Sequence, residues 1–302
     1  MAMYNPLVKE YRGRFGKGRT MDDIVDLVDE LPPMPDVIAH ALRLVDDASA
    51  TPEELANVIM LDPALASPIL RTANSASLGH QREVATLSMA ILLVGMRQIK
   101  TILLASALRR WNRNFGPVER LVWEKSIGAA SAAHILCQQL KKDYLDELYL
   151  TGLLHNLGQI VLLSHKELGG EYSGVLARIR ECNEDYVTAE REVIGFSHPL
   201  IGALVAWKWG FAPSTCRAIL HYNEPFAETP GEHDEKVGML KLAAGIGLAL
   251  GFGRPEGYSE EIERLDKLAL VVGFNEATLQ ADLQIAMSEI KIRFASEVGA
   301  YG

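Results

Sequence analysis

Apolar positions recur at three- and four-residue intervals in segment after segment of the chain, and sustained period-two alternation is hard to find. The pattern predicts an all-α protein. Thr20 followed by Asp23 reads as the N-cap of a helix running to Glu30, stopped by the Leu31-Pro32-Pro33-Met34-Pro35 run. Val37, Ala41, Leu44 and Val45 form the stripe of the next helix. Thr51-Pro52-Glu53-Glu54 and Asp62-Pro63 each combine a cap with a proline at the first helical position, so two short helices follow in succession. Apolar runs at 86–94 and 96–108 predict two more, separated by Gly95.

Gly116-Pro117 marks a boundary between two helical halves. Beyond it the periodicity predicts helices near 118–141, 146–165, 172–183, 186–194, 199–209, 213–222 and 235–251. A loop rich in Gly, Pro and Glu at 253–259 leads to two final helices, the last with Leu279, Leu283, Met287, Ile290 and Phe294 on one face. That face is expected to close the bundle. The expected organisation is a basic flexible arm at 1–19, an N-terminal helical subdomain at 20–115, a helical subdomain at 116–252 and C-terminal helices at 253–302.

Composition narrows the function classes. At 302 residues and 48% hydrophobic, the chain can bury a sizeable core. The net charge is −9, and because residues 1–19 are basic the remainder carries about −13, which disfavours general polyanion binding. Cys137, Cys182 and Cys216 lie far apart without a CxxC pair, as expected of buried thiols in a reducing compartment. The first residues lack the apolar core of a signal peptide, and no run of about 18 uncharged apolar residues occurs. A cytoplasmic protein without a membrane span is expected.

The strongest local motif is Gly152-Leu153-Leu154-His155-Asn156-Leu157-Gly158, a histidine and an amide between glycines. Gly195-Phe196-Ser197-His198-Pro199 and Ile219-Leu220-His221-Tyr222 follow, spacing three histidines at intervals of 43 and 23 residues. Imidazoles from different helices can converge on one divalent ion, but a lone histidine in an apolar helix is more often a hydrogen-bonded core residue.

With the Leu31–Pro35 run, Leu61-Asp62-Pro63-Ala64-Leu65, Leu70-Arg71-Thr72-Ala73-Asn74-Ser75-Ala76, 90–95, Gly202 and Trp207, these motifs make the chain resemble the HDOD family over roughly 31–225. It looks like a stand-alone copy, with no receiver or GGDEF-type segment attached. The resemblance implies an HD-like helical bundle with an additional N-terminal helical subdomain, a place in bacterial signalling and a non-catalytic role. Active HD phosphohydrolases, to which the second half is similar, hold divalent metal with histidines and aspartates. Carried over, the His-Asp doublet falls on His155 and Asn156 and the extra histidines on His198 and His221. The first histidine falls at or beside Lys125, the second of the last pair on Tyr222, and the final aspartate near Gly245.

Asn156 supplies no charge to neutralise a divalent ion, and an ammonium at Lys125 would oppose one. His155, His198 and His221 are therefore expected to converge without a nearby carboxylate cluster, to hold at most a weakly bound divalent metal, and to need no cofactor. The expected function is a regulatory domain whose groove between the two halves docks a signalling protein partner or a small regulatory ligand. The rival is a metal-dependent phosphohydrolase acting on nucleotides or cyclic dinucleotides. A third reading takes 51–76 as a helix-turn-helix, but it offers only Arg71 and Asn74 to a groove and carries Pro68 inside its second helix, so DNA is disfavoured. Arg71, Asn74, Arg97, Arg109 and Arg110 remain candidate contacts for a partner or ligand, with helix capping and solvated helix faces as the alternatives.

Overall fold

A computed structural model describes residues 5–11, 15–31, 34–74, 84, 86–111, 116–224, 235–255 and 262–301. Among them the regular structure is helical throughout, as the periodicity requires. The chain divides into two units, 32–111 with 296–302, and 1–31 with 112–295.

In the first unit, α3 (Asp36–Asp46), α4 (Pro52–Ile59), α5 (Pro63–Ala73), α6 (Leu87–Val94) and α7 (Met96–Trp111) pack on one another. Their starts are set locally. The Thr51 hydroxyl accepts the Glu54 N–H while the Glu54 carboxylate accepts the Thr51 N–H, a reciprocal cap, and Asp62 caps α5 through the Ala64 N–H. Gly95 ends α6 at φ +84°, a conformation that favours glycine.

In the second unit, the described part of the N-terminal arm is not free. α1 (Asn5–Glu10) buries Leu7, and the Gly16 N–H donates to the Gly195 carbonyl at 2.7 Å. The expectation of a flexible arm is corrected to that extent. α2 (Met21–Glu30) opens on the expected Thr20–Asp23 box. At its other end Lys208 donates to the carbonyls of Val28, Asp29 and Leu31, where a cation meets the negative end of the helix. Residues 20–31, expected with the N-terminal half, cluster with the later helices instead.

The remaining helices are α8 (Pro117–Gln139), α9 (Leu145–Leu154), α10 (Leu157–Ser164), α11 (Leu168–Cys182), α12 (Tyr186–Val193), α13 (His198–Lys208), α14 (Pro213–His221), α15 (Glu235–Ala249), α16 (Ile262–Val272) and α17 (Leu279–Tyr301). α8 packs on α9 and α15, and α13 on α10 and α14. From α16 and α17, Leu265, Leu268, Leu279, Leu283, Ala286 and Ile290 join one core cluster with α8 and α15, so the final apolar face does close the bundle. Phe294 stacks on Phe252 at 3.7 Å between ring centroids. Cys137 and Cys216 are buried and Cys182 is exposed at the end of α11, which corrects the expectation of three buried thiols. Among the described residues no single helix is long and apolar enough to cross a membrane.

Candidate functional site

The helix expected over 146–165 is two helices, and the break falls at His155-Asn156. Close backbone approach on either side fixes this junction. A Cβ on Gly152 would lie 2.9 Å from the backbone of Ala130 in α8, and one on Gly158 would collide with the His198 carbonyl oxygen and lie 2.8 Å from the Gly202 nitrogen in α13. The two glycines let α8 and α13 press against α9 and α10, which carries His155 and Asn156 into the interior.

Lys125 from α8, His155, His198 from α13, Tyr222 beside α14 and Gly245 from α15 line one cleft of about 50 Å³ inside this unit. Of the four degenerate positions, Lys125, Tyr222 and Gly245 line this cleft and Asn156 does not. Nor does His221: it is half-buried, its Nδ1 lies 2.9 Å from Glu224 Oε2, and it is absent from the cleft lining. Asn156 is fully buried outside the cleft lining, with its Nδ2 donating to the Ser126 hydroxyl at a long 3.5 Å and its Oδ1 without a hydrogen-bond partner.

Among the described residues one carboxylate, Asp185, lines the cleft, and a second lies buried behind His198 without lining it. Glu190 of α12 is fully buried, and its Oε2 accepts both the His198 backbone N–H at 2.8 Å and the His198 Nδ1–H at 2.7 Å. Its Oε1 accepts the Tyr172 hydroxyl at 2.7 Å and the Gln159 amide at 3.2 Å. Burial pushes this carboxyl up, but those donors, His198 foremost, hold it below the ordinary range, so Glu190 carries the negative charge. Burial also lowers His198, more than Glu190 raises it, leaving a neutral imidazole with its proton on Nδ1. Its remaining lone pair, on Nε2, accepts a hydrogen bond from the Tyr222 hydroxyl at 2.6 Å.

Lys125 supplies the positive charge. Its ammonium donates to Gln159 Oε1 at 2.8 Å and sits 3.6 Å from the centroid of the Tyr186 ring. Gln159 relays between the charges, because its other end donates to Tyr172 at 2.8 Å and to Glu190. Burial lowers Lys125 to about 7, partly opposed by Glu190. His155 donates from Nδ1 to the Gly152 carbonyl at 2.6 Å, so Nε2 is left as an acceptor. Burial, with Lys125 next, lowers this imidazole to about 3.

The divalent metal of HD-type sites does not fit these residues. An ammonium stands among the ligand positions, Asn156 replaces a carboxylate, the His198 lone pair is taken, and Glu190 is committed to four donors. Among the described residues no group of three or more His, Cys, Asp or Glu side chains is arranged to hold a metal ion.

A family model, the HDOD domain, matches residues 31–225. The chain belongs to the HDOD family. A curated relative from Treponema pallidum, an uncharacterized protein, is 24% identical over 231 residues; the match spans 73% of this chain and 42% of that protein's length. Among solved structures, an HDOD domain protein of unknown function from Geobacter sulfurreducens aligns with a TM-score of 0.71 at 21% identity, covering 91% of this chain and 98% of that one. A Shewanella amazonensis protein provisionally named a phosphohydrolase aligns at 0.65 and 23% identity, over 90% and 97%. A Marinobacter aquaeolei protein provisionally named for signal transduction aligns at 0.65 and 19% identity, over 99% and 65%. These likenesses establish the HDOD fold.

The other candidate contacts lie in the first unit. Arg71 and Arg97 are exposed, and the side chains of Arg109 and Arg110 lie outside the described residues. Asn74 is engaged: its amide donates to the Leu70 and Val84 carbonyls, and its oxygen accepts the Val84 N–H at 2.7 Å. It acts as a clasp at the end of α5, in line with the capping alternative. Sequence reasoning missed Glu190, Gln159, Tyr172 and Tyr186. Gln159 carried a signal, as the one polar residue between Gly158 and Leu163 in an apolar run.

Proposed function

We propose that this chain is a non-catalytic regulatory domain of bacterial signalling, which binds a protein partner or a small regulatory ligand. The observation that carries this reading is the Lys125 ammonium, bonded to Gln159 at the position where an HD-type site would place a metal ligand. It provides an internal cation for Glu190. Water activation by a divalent ion needs anionic ligands with open lone pairs, and here the carboxylate and the His198 lone pair are both consumed by protein donors. The provisional signalling name of one relative of the same fold is in keeping with this role.

The test is elemental analysis of the purified chain after incubation with Mn²⁺ or Fe²⁺ and desalting, with phosphodiesterase assays on a chromogenic diester and on cyclic dinucleotides. The expected result is substoichiometric metal and no turnover above buffer. Metal-dependent turnover that disappears in His155→Ala would overturn the reading in favour of a phosphohydrolase.

A further inference from the structure

α17 carries two apolar faces. Leu279, Leu283, Ala286 and Ile290 point into the core, as a helix packed on a bundle requires. On the opposite side, Ile285 is 53% and Ile292 72% exposed. Ala281, Ile285, Ser288, Ile292 and Ala295 follow one another at intervals of four, three, four and three residues, so they fall on one line along the helix, and all five are exposed.

A single exposed isoleucine needs no explanation. Two of them seven residues apart, on a line without a charge, have the spacing with which helices pack along each other. The isoleucines take the first seam position of each heptad, where β-branched side chains favour two strands. Ala281, Ser288 and Ala295 take the second, and their small side chains let another backbone come close.

The flanks decide what can cover this line. At about 100° per residue, Asp282 and Glu289 border it on one side, and Gln284 and Lys291 on the other. Glu289 and Lys291 are both exposed. Two antiparallel copies would set acidic flank on acidic flank. Two parallel copies set the Lys291 flank of each against the Glu289 flank of the other, while the seam meets itself, isoleucine on isoleucine. The face is therefore complementary to itself in one orientation, which a second copy of the chain supplies by two-fold symmetry.

We propose that this face of α17 is a homodimer interface, in which the helices of two copies lie parallel over 281–295. It goes beyond the regulatory reading and does not depend on it. The core already holds α17 helical, so pairing carries no cost of helix formation. The seam is about 22 Å long at 1.5 Å per residue, so the dimer is reversible, with a dissociation constant on the order of 10 μM.

Sedimentation velocity on the full chain, from about 1 to about 300 μM, reads the equilibrium, and a monomer–dimer transition is expected within that range. Ile285→Glu combined with Ile292→Glu, both at exposed positions, should raise the dissociation constant by at least about a hundredfold, with the unfolding midpoint unchanged. Lys291→Glu and Glu289→Lys should each weaken the dimer by about fivefold, and the two together should restore it. Cys182 is exposed, so Ala281→Cys is placed in a Cys182→Ser background. It should then cross-link two copies on mild oxidation, because a parallel pair brings the two positions together. The charge exchange and the cross-link keep both isoleucines, so they stand even if the double variant misfolds. A chain that stays monomeric throughout, or a dimer indifferent to the isoleucine changes, overturns the proposal. A dimer that needs the isoleucines but gives neither the cross-link nor the charge rescue overturns the parallel arrangement.

Discussion

The hydroxyl of Tyr222 lies 2.6 Å from Nε2 of His198, on the one lone pair that the imidazole has left after Glu190 takes its Nδ1–H. Tyr222, at a position where the resemblance would put a histidine, thus occupies the remaining nitrogen of His198. Tyr222→Phe should leave a buried imidazole nitrogen unpaired and cost about 1–3 kcal/mol, read as a lower urea midpoint at constant slope. A neutral result would mean that the hydrogen bond contributes nothing net.

Glycine contacts make a prediction with an internal control. Gly158→Ala drives a methyl into the His198 carbonyl and the Gly202 nitrogen, backbone atoms that cannot swing aside. It should cost about 3 kcal/mol or more, at or beyond the usual range for overpacking. Gly170→Ala adds a methyl at an exposed helical position in α11 with nothing within 4 Å, and should stabilise by about 0.5–1 kcal/mol. Thermal unfolding of the pair checks both signs, and equal effects would remove the close-approach argument.

What was legible follows from how local its cause is. Thr20, Thr51 and Asp62 cap the helices expected of them because the donors lie two or three residues away. Lys125, His155, His198, Tyr222 and Gly245, all singled out through the resemblance, line one cleft, while Asn156 does not. His221 does not join them, since one residue along a helix turns a side chain by about 100° and Tyr222 takes the inward direction. The break at His155-Asn156 was not legible, because apolar periodicity runs through it and its cause is contact with α8 and α13. The Lys125–Gln159–Glu190 chain was equally hidden, being made by helices 31 and 34 residues apart. In α12, Glu190 follows Tyr186 and Val187 at spacings of four and three, so the helical period placed it on the buried face.

Buried neutral imidazoles set the acid limb of stability. His155 falls from 6.5 in the unfolded chain to about 3, and His134 to about 4, both mainly through burial. The unfolded chain therefore binds more protons as pH drops through 6.5, and folding stability declines until the folded values are reached. For His155 alone the full loss is about 4–5 kcal/mol, at 1.36 kcal/mol per pH unit. His155→Gln, which cannot take up that proton, should show a shallower decline of unfolding free energy between pH 6.5 and pH 4 than the parent chain. Parallel slopes would contradict a neutral buried His155.

Lys125 governs the opposite side of the pH scale. Its value drops from 10.5 to about 7 on folding, chiefly because burial disfavours the ammonium. Between those limits the unfolded chain holds a proton that the folded chain has released, so this residue adds stability as pH rises from 7 to 10.5 and adds none further below 7. The gain across the window is about 4–5 kcal/mol. Lys125→Met removes the titrating group along with the Gln159 hydrogen bond. Relative to the parent, the variant should therefore fare better at pH 6.5 than at pH 9.5, where the parent has shed its buried charge. Urea unfolding of both proteins at the two pH values measures the difference directly. A gap that stays constant would mean that folding does not desolvate the ammonium and that Lys125 keeps its proton at both pH values.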